Sequence, residues 1–365
     1  MRKILMLCLL LFGLSTAVCA EELTQREAEI LGVDQLEQGL SLEQRALTSA
    51  SARTAGGNFS ERLWELVQGV LSGMGDGVRS ALRLSGLLLG AALMCALAQA
   101  LAPQSAAPWL RMAAAVCICG ICAGSMSGMI ALARQTIEEL ESYSKLLLSV
   151  LCSAAAASGA SVTAGSVYAG SCLFFGVLIS LIRSLLIPLV YLYIMLAAAQ
   201  SAFAQPGLGR FSELADWAIR TGLKGVMYLF AGYLCITGIL SGSADGAAAE
   251  AAKAALSAAV PVVGGILSDA SGSIAAAASV LRASAGAFGA LAILAILLAP
   301  LLRIALHYLA LRVTCAAGAF LSPKEEGSLM KRLCTAMGFL FSMTLCCGVM
   351  LLMSVCCFMK AVNVG

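Results

Sequence analysis

Charge is what this chain has least of: only 12% of its 365 residues are Asp, Glu, Lys or Arg, against roughly a quarter in an ordinary soluble domain. With 60% apolar residues and a mean hydropathy of +0.93, too little polar surface remains to solvate a globule. A soluble fold is therefore excluded. The net charge is only +3 and the basic residues are scattered between apolar runs, so there is no nucleic-acid footprint. Histidine occurs once, as His307, and no G-x-S-x-G, H-E-x-x-H or Walker sequence accompanies it. Paired catalytic groups at workable spacing are missing. The sequence thus predicts no enzyme, no cofactor and no metal site, and no ATP bound through a P-loop.

Cysteine, by contrast, is abundant, with fifteen residues. Two lie in the first twenty positions and the others in apolar runs, including Cys117, Cys119 and Cys122 and the pairs Cys346/Cys347 and Cys356/Cys357. A disulfide framework belongs in exported loops, and structural zinc needs tetrahedral ligands with a polar surround. Neither context is present, so these cysteines read as small apolar side chains. His307 lies in an apolar run beside Tyr308. An interhelical hydrogen bond is favoured there over a proton carrier.

The first twenty residues fit a secretory signal. Arg2 and Lys3 supply the charged start, Ile4 to Leu14 is too short to span a bilayer, and Val18 and Ala20 suit cleavage before Glu21. A lipoprotein box at Cys19 is disfavoured by Val18, and an uncleaved anchor is the alternative. Either way the next segment, 21–80, is placed outside. Thr24 with Glu27, Asp34 with Glu37 and Ser41 with Gln44 have the spacing of helix start signals. After a loose linker around Ser49 to Asn58, Ser60 opens a helix whose apolar face is Leu63, Trp64, Val67, Val70, Leu71, Met74 and Val78. Packing of that face on the protein's own bundle is favoured over a membrane or partner contact.

Residues 81–365 form the membrane domain. Spans are expected near Ala81–Ala102, Met112–Ala133, Leu223–Ser241, Ala285–Leu301, Ile304–Leu321 and Leu333–Met359. Leu146 to Gln205, with Arg183 as its only charge, is long enough for three more crossings if Ala154 to Gly170 holds a break. The expected fold is an all-α, polytopic transmembrane bundle of eight or nine spans. Lys and Arg are too evenly spread to fix its orientation, which rests on the signal peptide. Gly69, Gly73 and Gly77, and likewise Gly120, Gly124 and Gly128, recur every four residues. Such repeats let helix backbones approach closely, and packing within the chain is favoured over packing between subunits.

The most unusual stretch is 245–284. An Ala-rich helix carrying Asp245, Glu250 and Lys253 leads into P-V-V-G-G-I-L-S-D-A, Pro261 to Ala270. Proline removes a donor and paired glycines relax the backbone, so a break is expected between two helices. Ser268 or Asp269 would cap the second helix, which would run to Ser284. Two readings stand equal: a re-entrant element lining a path, with Lys253, Asp269 and Arg282 as polar lining, or an exported or interfacial hairpin with solvated charges.

This motif, preceded by G-L-K-G-V-M-Y-L-F-A-G-Y-L-C-I-T-G-I-L-S (Gly222 to Ser241) and S-A-D-G (Ser243 to Gly246), and followed by L-R-A-S-A-G-A-F-G (Leu281 to Gly289), resembles the stage III sporulation protein AE family. The order of signal, exported helices and multispan region is similar too. The resemblance implies a mother-cell protein of an endospore former, in the membrane around the engulfed forespore. It implies a channel or secretion-like complex supporting late forespore development. The implied partners are the other stage III A-group membrane proteins, including ring-forming subunits, a separate cytoplasmic ATPase and a forespore-side membrane partner. The family offers no catalytic residues to carry over. Pro261, Gly264, Gly265, Ser268 and Asp269 match its motif and are expected to shape structure and path. An autonomous secondary transporter is the alternative function, though inverted repeats are not evident.

Overall fold

The structure is a computed structural model that describes residues 40, 59–101, 103–157, 174–203, 207–230, 232–233, 264–318 and 324–363. Among these residues every extended element is helical: α1 (Phe59–Ser72), α2 (Gly75–Leu101), α3 (Ala107–Ala157), α4 (Phe174–Phe203), α5 (207–230), α6 (Gly264–Gly318) and α7 (Lys324–Asn363). Five stretches among the described residues are long and apolar enough to cross a membrane: Gly75–Leu101, Met112–Val150, Phe174–Phe203, Phe288–Gly318 and Ser328–Val355. The signal segment and most of the exported segment lie outside the described residues.

Two expected span boundaries do not exist. Ala285–Leu301 and Ile304–Leu321 were separated at Arg303, but α6 runs through it without interruption. Pro300 inside α6 costs one backbone donor. The exposed Arg303 lays its stem beside Gly77, with Cγ 3.7 Å from where a β-carbon would stand, so the charge reaches outward without ending the helix. Likewise the stretch from Leu146 to Gln205 does not start a new helix at Leu146, since Leu146–Ala157 continues α3; residues 158–173 of it lie outside the described residues. The charges that set it apart support the helix instead. Arg134 pairs with Glu138 at 3.2 Å, Lys145 with Glu141 at 2.9 Å, and Gln135 donates to Glu139 at 2.9 Å, all four residues apart. Of the expected span Leu223–Ser241, residues 231 and 234–241 lie outside the described residues; residues 223–230 belong to helix α5, which begins sixteen residues earlier, at 207, and carries Arg210, Asp216 and Arg220.

Contacts fix the directions of the helices. Gln200 lies against Gly209, Leu186 against Gly222, and Phe174 stacks on Tyr233 at 4.3 Å, so α4 and α5 are antiparallel. Met330 against Gly318, Tyr308 against Gly338 and Leu297 against Gly348 make α6 and α7 antiparallel. Gly77 beside Arg303 and Ser80 beside His307 set α2 parallel to α6. Ser212 with Arg332 and Arg220 over Phe339 set α5 parallel to α7. The C-terminal ends of α2, α4 and α6 therefore share one end of the bundle with the starts of α3, α5 and α7.

One core cluster joins α2 to α7, with Ile137, Leu140, Ile179, Ile182, Ile293 and Met343 fully or almost fully buried. A smaller cluster seats α1 on α6 through Leu66, Val70, Met74 and Ala295. Helix α1 packs on the bundle of its own chain, but on a stripe shifted from the expected one. Leu66 is 1% exposed, whereas Trp64 is 62% and Leu71 58% exposed. The glycine repeats are corrected as well. A β-carbon on Gly120, Gly124 or Gly128 would meet nothing of this chain within 4 Å, and of Gly73 and Gly77 in the other repeat, Gly77 has another helix as its neighbour. Spacing identifies glycines that share a face. It does not say what the face meets.

Candidate functional site

Of the motif residues, Lys253 and Pro261 lie outside the described residues. Gly264 begins α6, and Gly265, Ser268, Asp269 and Arg282 follow within it. Ser268 and Asp269 are consequently not its N-cap, because the helix starts four residues before Ser268. Nor does the second arm stop at Ser284; it continues to Gly318. An Ala-rich run leading directly into an apolar segment offers no stop signal, and an unbroken helix satisfies every backbone group it crosses lipid with. Asp269 and Arg282 are thirteen residues apart on this helix, about 20 Å at 1.5 Å per residue.

The charged site that the bundle does assemble centres on Arg183. Its Nη1 lies 3.5 Å from Glu138 Oε1 and 4.0 Å from Glu141 Oε2 on α3. Those two carboxylates also hold Arg134 and Lys145, so the five side chains form a network in which each carboxylate serves two cations. The network is half-exposed, with Arg183 at 38% and Glu138 at 43% side-chain exposure.

Backbone geometry presents Arg183 to α3. Residues Ile182–Leu186 form a π turn, closed by Ile187 N–H donating to the Ile182 carbonyl five residues back. The cause is Pro188. Its nitrogen has no hydrogen to give the Ser184 carbonyl, and its ring crowds that oxygen; one extra residue in the turn relieves both. Ser184 Oγ donates in turn to the Ser180 carbonyl. Composition had singled out Arg183 as a lone charge in an apolar run, but the partners came from a helix that the sequence divided at those very charges.

His307 occupies an interhelical contact. It is 5% exposed, its Nδ1–H donates to the Arg303 carbonyl at 2.9 Å, and Nε2 faces Ser80 Oγ of α2 at 3.5 Å. The Ser80 hydroxyl donates to the Gly77 carbonyl at 2.9 Å. Tyr143 is 1% exposed and its hydroxyl has no partner among the described residues. Cys122, Cys334, Cys346 and Cys347 are buried and Cys117 is exposed. No group of three or more His, Cys, Asp or Glu among the described residues is placed to hold a metal ion.

Long apolar helices packed parallel and antiparallel, with an ionic network around Arg183 and a buried histidine among the described residues, define a polytopic helical membrane protein. The chain belongs to the stage III sporulation protein AE family, whose model matches residues 47–361. No curated protein and no solved structure matches it.

Proposed function

We propose that this chain is a membrane subunit of the channel or secretion-like complex that links mother cell and forespore, and that late forespore development requires it. Membership of the family across 47–361 carries this reading. The architecture is compatible with a scaffold or conduit wall. The charged groups around Arg183 are engaged with one another, which suits a structural role within an assembly more than a solute-binding site. On this reading the protein sits in the mother-cell-derived membrane around the forespore, beside the other A-group membrane proteins, a cytoplasmic ATPase and a forespore-side membrane partner. Crossings beyond the five described, with a re-entrant element at 245–284 built on Lys253, Pro261, Gly264, Gly265, Ser268 and Asp269, complete the path.

The test is deletion of the gene in the spore-forming host, with a late forespore reporter read after engulfment. Engulfment followed by loss of reporter expression supports the proposal; normal reporter expression and spore yield refute it. An autonomous transporter instead requires substrate-dependent flux by the purified single chain in vesicles.

A further inference from the structure

The end of the bundle where α4 and α6 finish and α5 and α7 begin carries cations that the described residues do not neutralise. Arg312 Nη1 donates to the Tyr308 hydroxyl at 2.7 Å, and its guanidinium carbon lies 5.9 Å from the ring centroid. A phenol positions that charge without cancelling it. Arg332 Nη1 donates to Ser212 Oγ, again a neutral oxygen. Lys331 is exposed, and it and Arg312 both lie within electrostatic reach of Cys315. Arg210 is exposed at the start of α5. Asp216 is taken by Arg220, at 2.7 Å, and the first turn of α7 adds Lys324, Glu325 and Glu326, so the sequence sets Glu213, Glu325 and Glu326 against Arg210, Arg312, Lys324, Lys331 and Arg332, an excess of two cations. Around Arg183 the opposite holds, since Arg134, Lys145 and Arg183 each have a glutamate within 4.0 Å.

The same end exposes aromatic rings: Phe211 and Trp217 on α5 are each 62% exposed. An acidic soluble partner would match the charges and leave these rings in water. The headgroup layer of an anionic membrane matches both, with phosphates for the cations and the glycerol and acyl boundary for the rings. We propose that Arg210, Arg312, Lys331 and Arg332, with Phe211 and Trp217, form a contact surface for anionic phospholipid headgroups. Arg312, on α6, and Lys331, on the facing helix α7, are its two exposed cations on that helix pair.

Trp217 is its own reporter. The full chain with Trp64→Phe and Trp109→Phe is reconstituted into phosphatidylcholine vesicles, and quenching of Trp217 is followed as brominated phosphatidylglycerol or brominated phosphatidylcholine is titrated in. Each surface cation contributes a factor of about five to anionic lipid affinity, so Arg312 and Lys331 together account for a preference of about 25-fold for phosphatidylglycerol at low salt. The double variant Arg312→Gln/Lys331→Gln lowers the preference by about that factor, and what remains belongs to Arg210 and Arg332. Arg312→Lys/Lys331→Arg keeps the full preference, as does Arg134→Gln/Lys145→Gln in the Arg183 network. Equal quenching by both lipids overturns the proposal. So does a preference that is undiminished in Arg312→Gln/Lys331→Gln, or one that inorganic phosphate at millimolar concentration abolishes.

Discussion

Gly348 stands where α7 meets α6 most closely, and replacing it tests that packing directly. A β-carbon at Gly348 would lie 2.3 Å from Leu297 Cδ2, 2.9 Å from Cδ1 and 3.2 Å from Cγ. Leu297 is 4% exposed, so its side chain has little room to turn away. Overpacking of this kind costs about 1–3 kcal/mol, while exchanging glycine for alanine within a helix returns about 0.5–1 kcal/mol. Gly348→Ala is therefore destabilising by about 1–2 kcal/mol. Leu297→Ala removes all three opposing atoms and costs about 2–5 kcal/mol alone. In that background Gly348→Ala becomes neutral or stabilising, which makes the two sites coupled by about 1–3 kcal/mol. Gly124→Ala is the control, because its β-carbon meets nothing within 4 Å; it stabilises by about 0.5–1 kcal/mol. Unfolding in mixed micelles, followed by helical circular dichroism as denaturing detergent is raised, measures all four variants. The packing argument fails if Gly348→Ala is no less stable than Gly124→Ala, or if its cost persists beside Leu297→Ala.

Tyr143→Phe removes a buried hydroxyl that has no partner among the described residues, so the same titration shows unchanged or raised stability; a loss above about 1 kcal/mol would reveal a partner. Arg183→Gln leaves Glu138 and Glu141 still paired with Arg134 and Lys145, and the half-exposed network then loses about 1 kcal/mol or less. A much larger loss would place these groups in lipid. Asp269→Ala, or Gly264→Leu at the start of α6, abolishes spore formation with membrane insertion intact; normal spore yield with either variant removes the motif from the mechanism. Epitope tags inserted in the full chain near Gln205 and Ser322 are reached from one side of the membrane and a tag at the C-terminus from the other, as the helix directions require; tags near Gln205 and Ser322 on opposite sides would contradict the pairing.

Hydropathy was enough to identify a helical membrane bundle, because runs such as Met112 to Ala133 admit no other fold in lipid. It misplaced boundaries wherever charge was taken as a stop. Arg303 and the segment from Arg134 to Lys145 are charged, but arginine, glutamate and lysine are good helix formers that pair along one face, so the helices pass through them. Close helix contacts were illegible for a different reason. The regular repeat Gly120, Gly124 and Gly128 faces open space, while the tight contacts fall at Gly289, against Leu147, and at Gly348, against Leu297. Neither glycine belongs to a repeat, and only the fold reveals what stands opposite. The Arg183 site was half visible: its charge and Pro188 are in the sequence, but the glutamates that meet it are forty-five and forty-two residues away. Leu66 was hidden by its neighbours, since the aromatic Trp64 beside it drew the apolar face the wrong way around α1.

The central claim, that the chain works as one subunit of an assembly, is tested most directly by crosslinking in sporulating cells followed by pull-down of the tagged full-length chain. Recovery of the ATPase, the ring-forming subunits and the forespore-side partner is the predicted result. Recovery of the chain alone, under conditions that keep other membrane complexes intact, would contradict the account and favour an autonomous transporter.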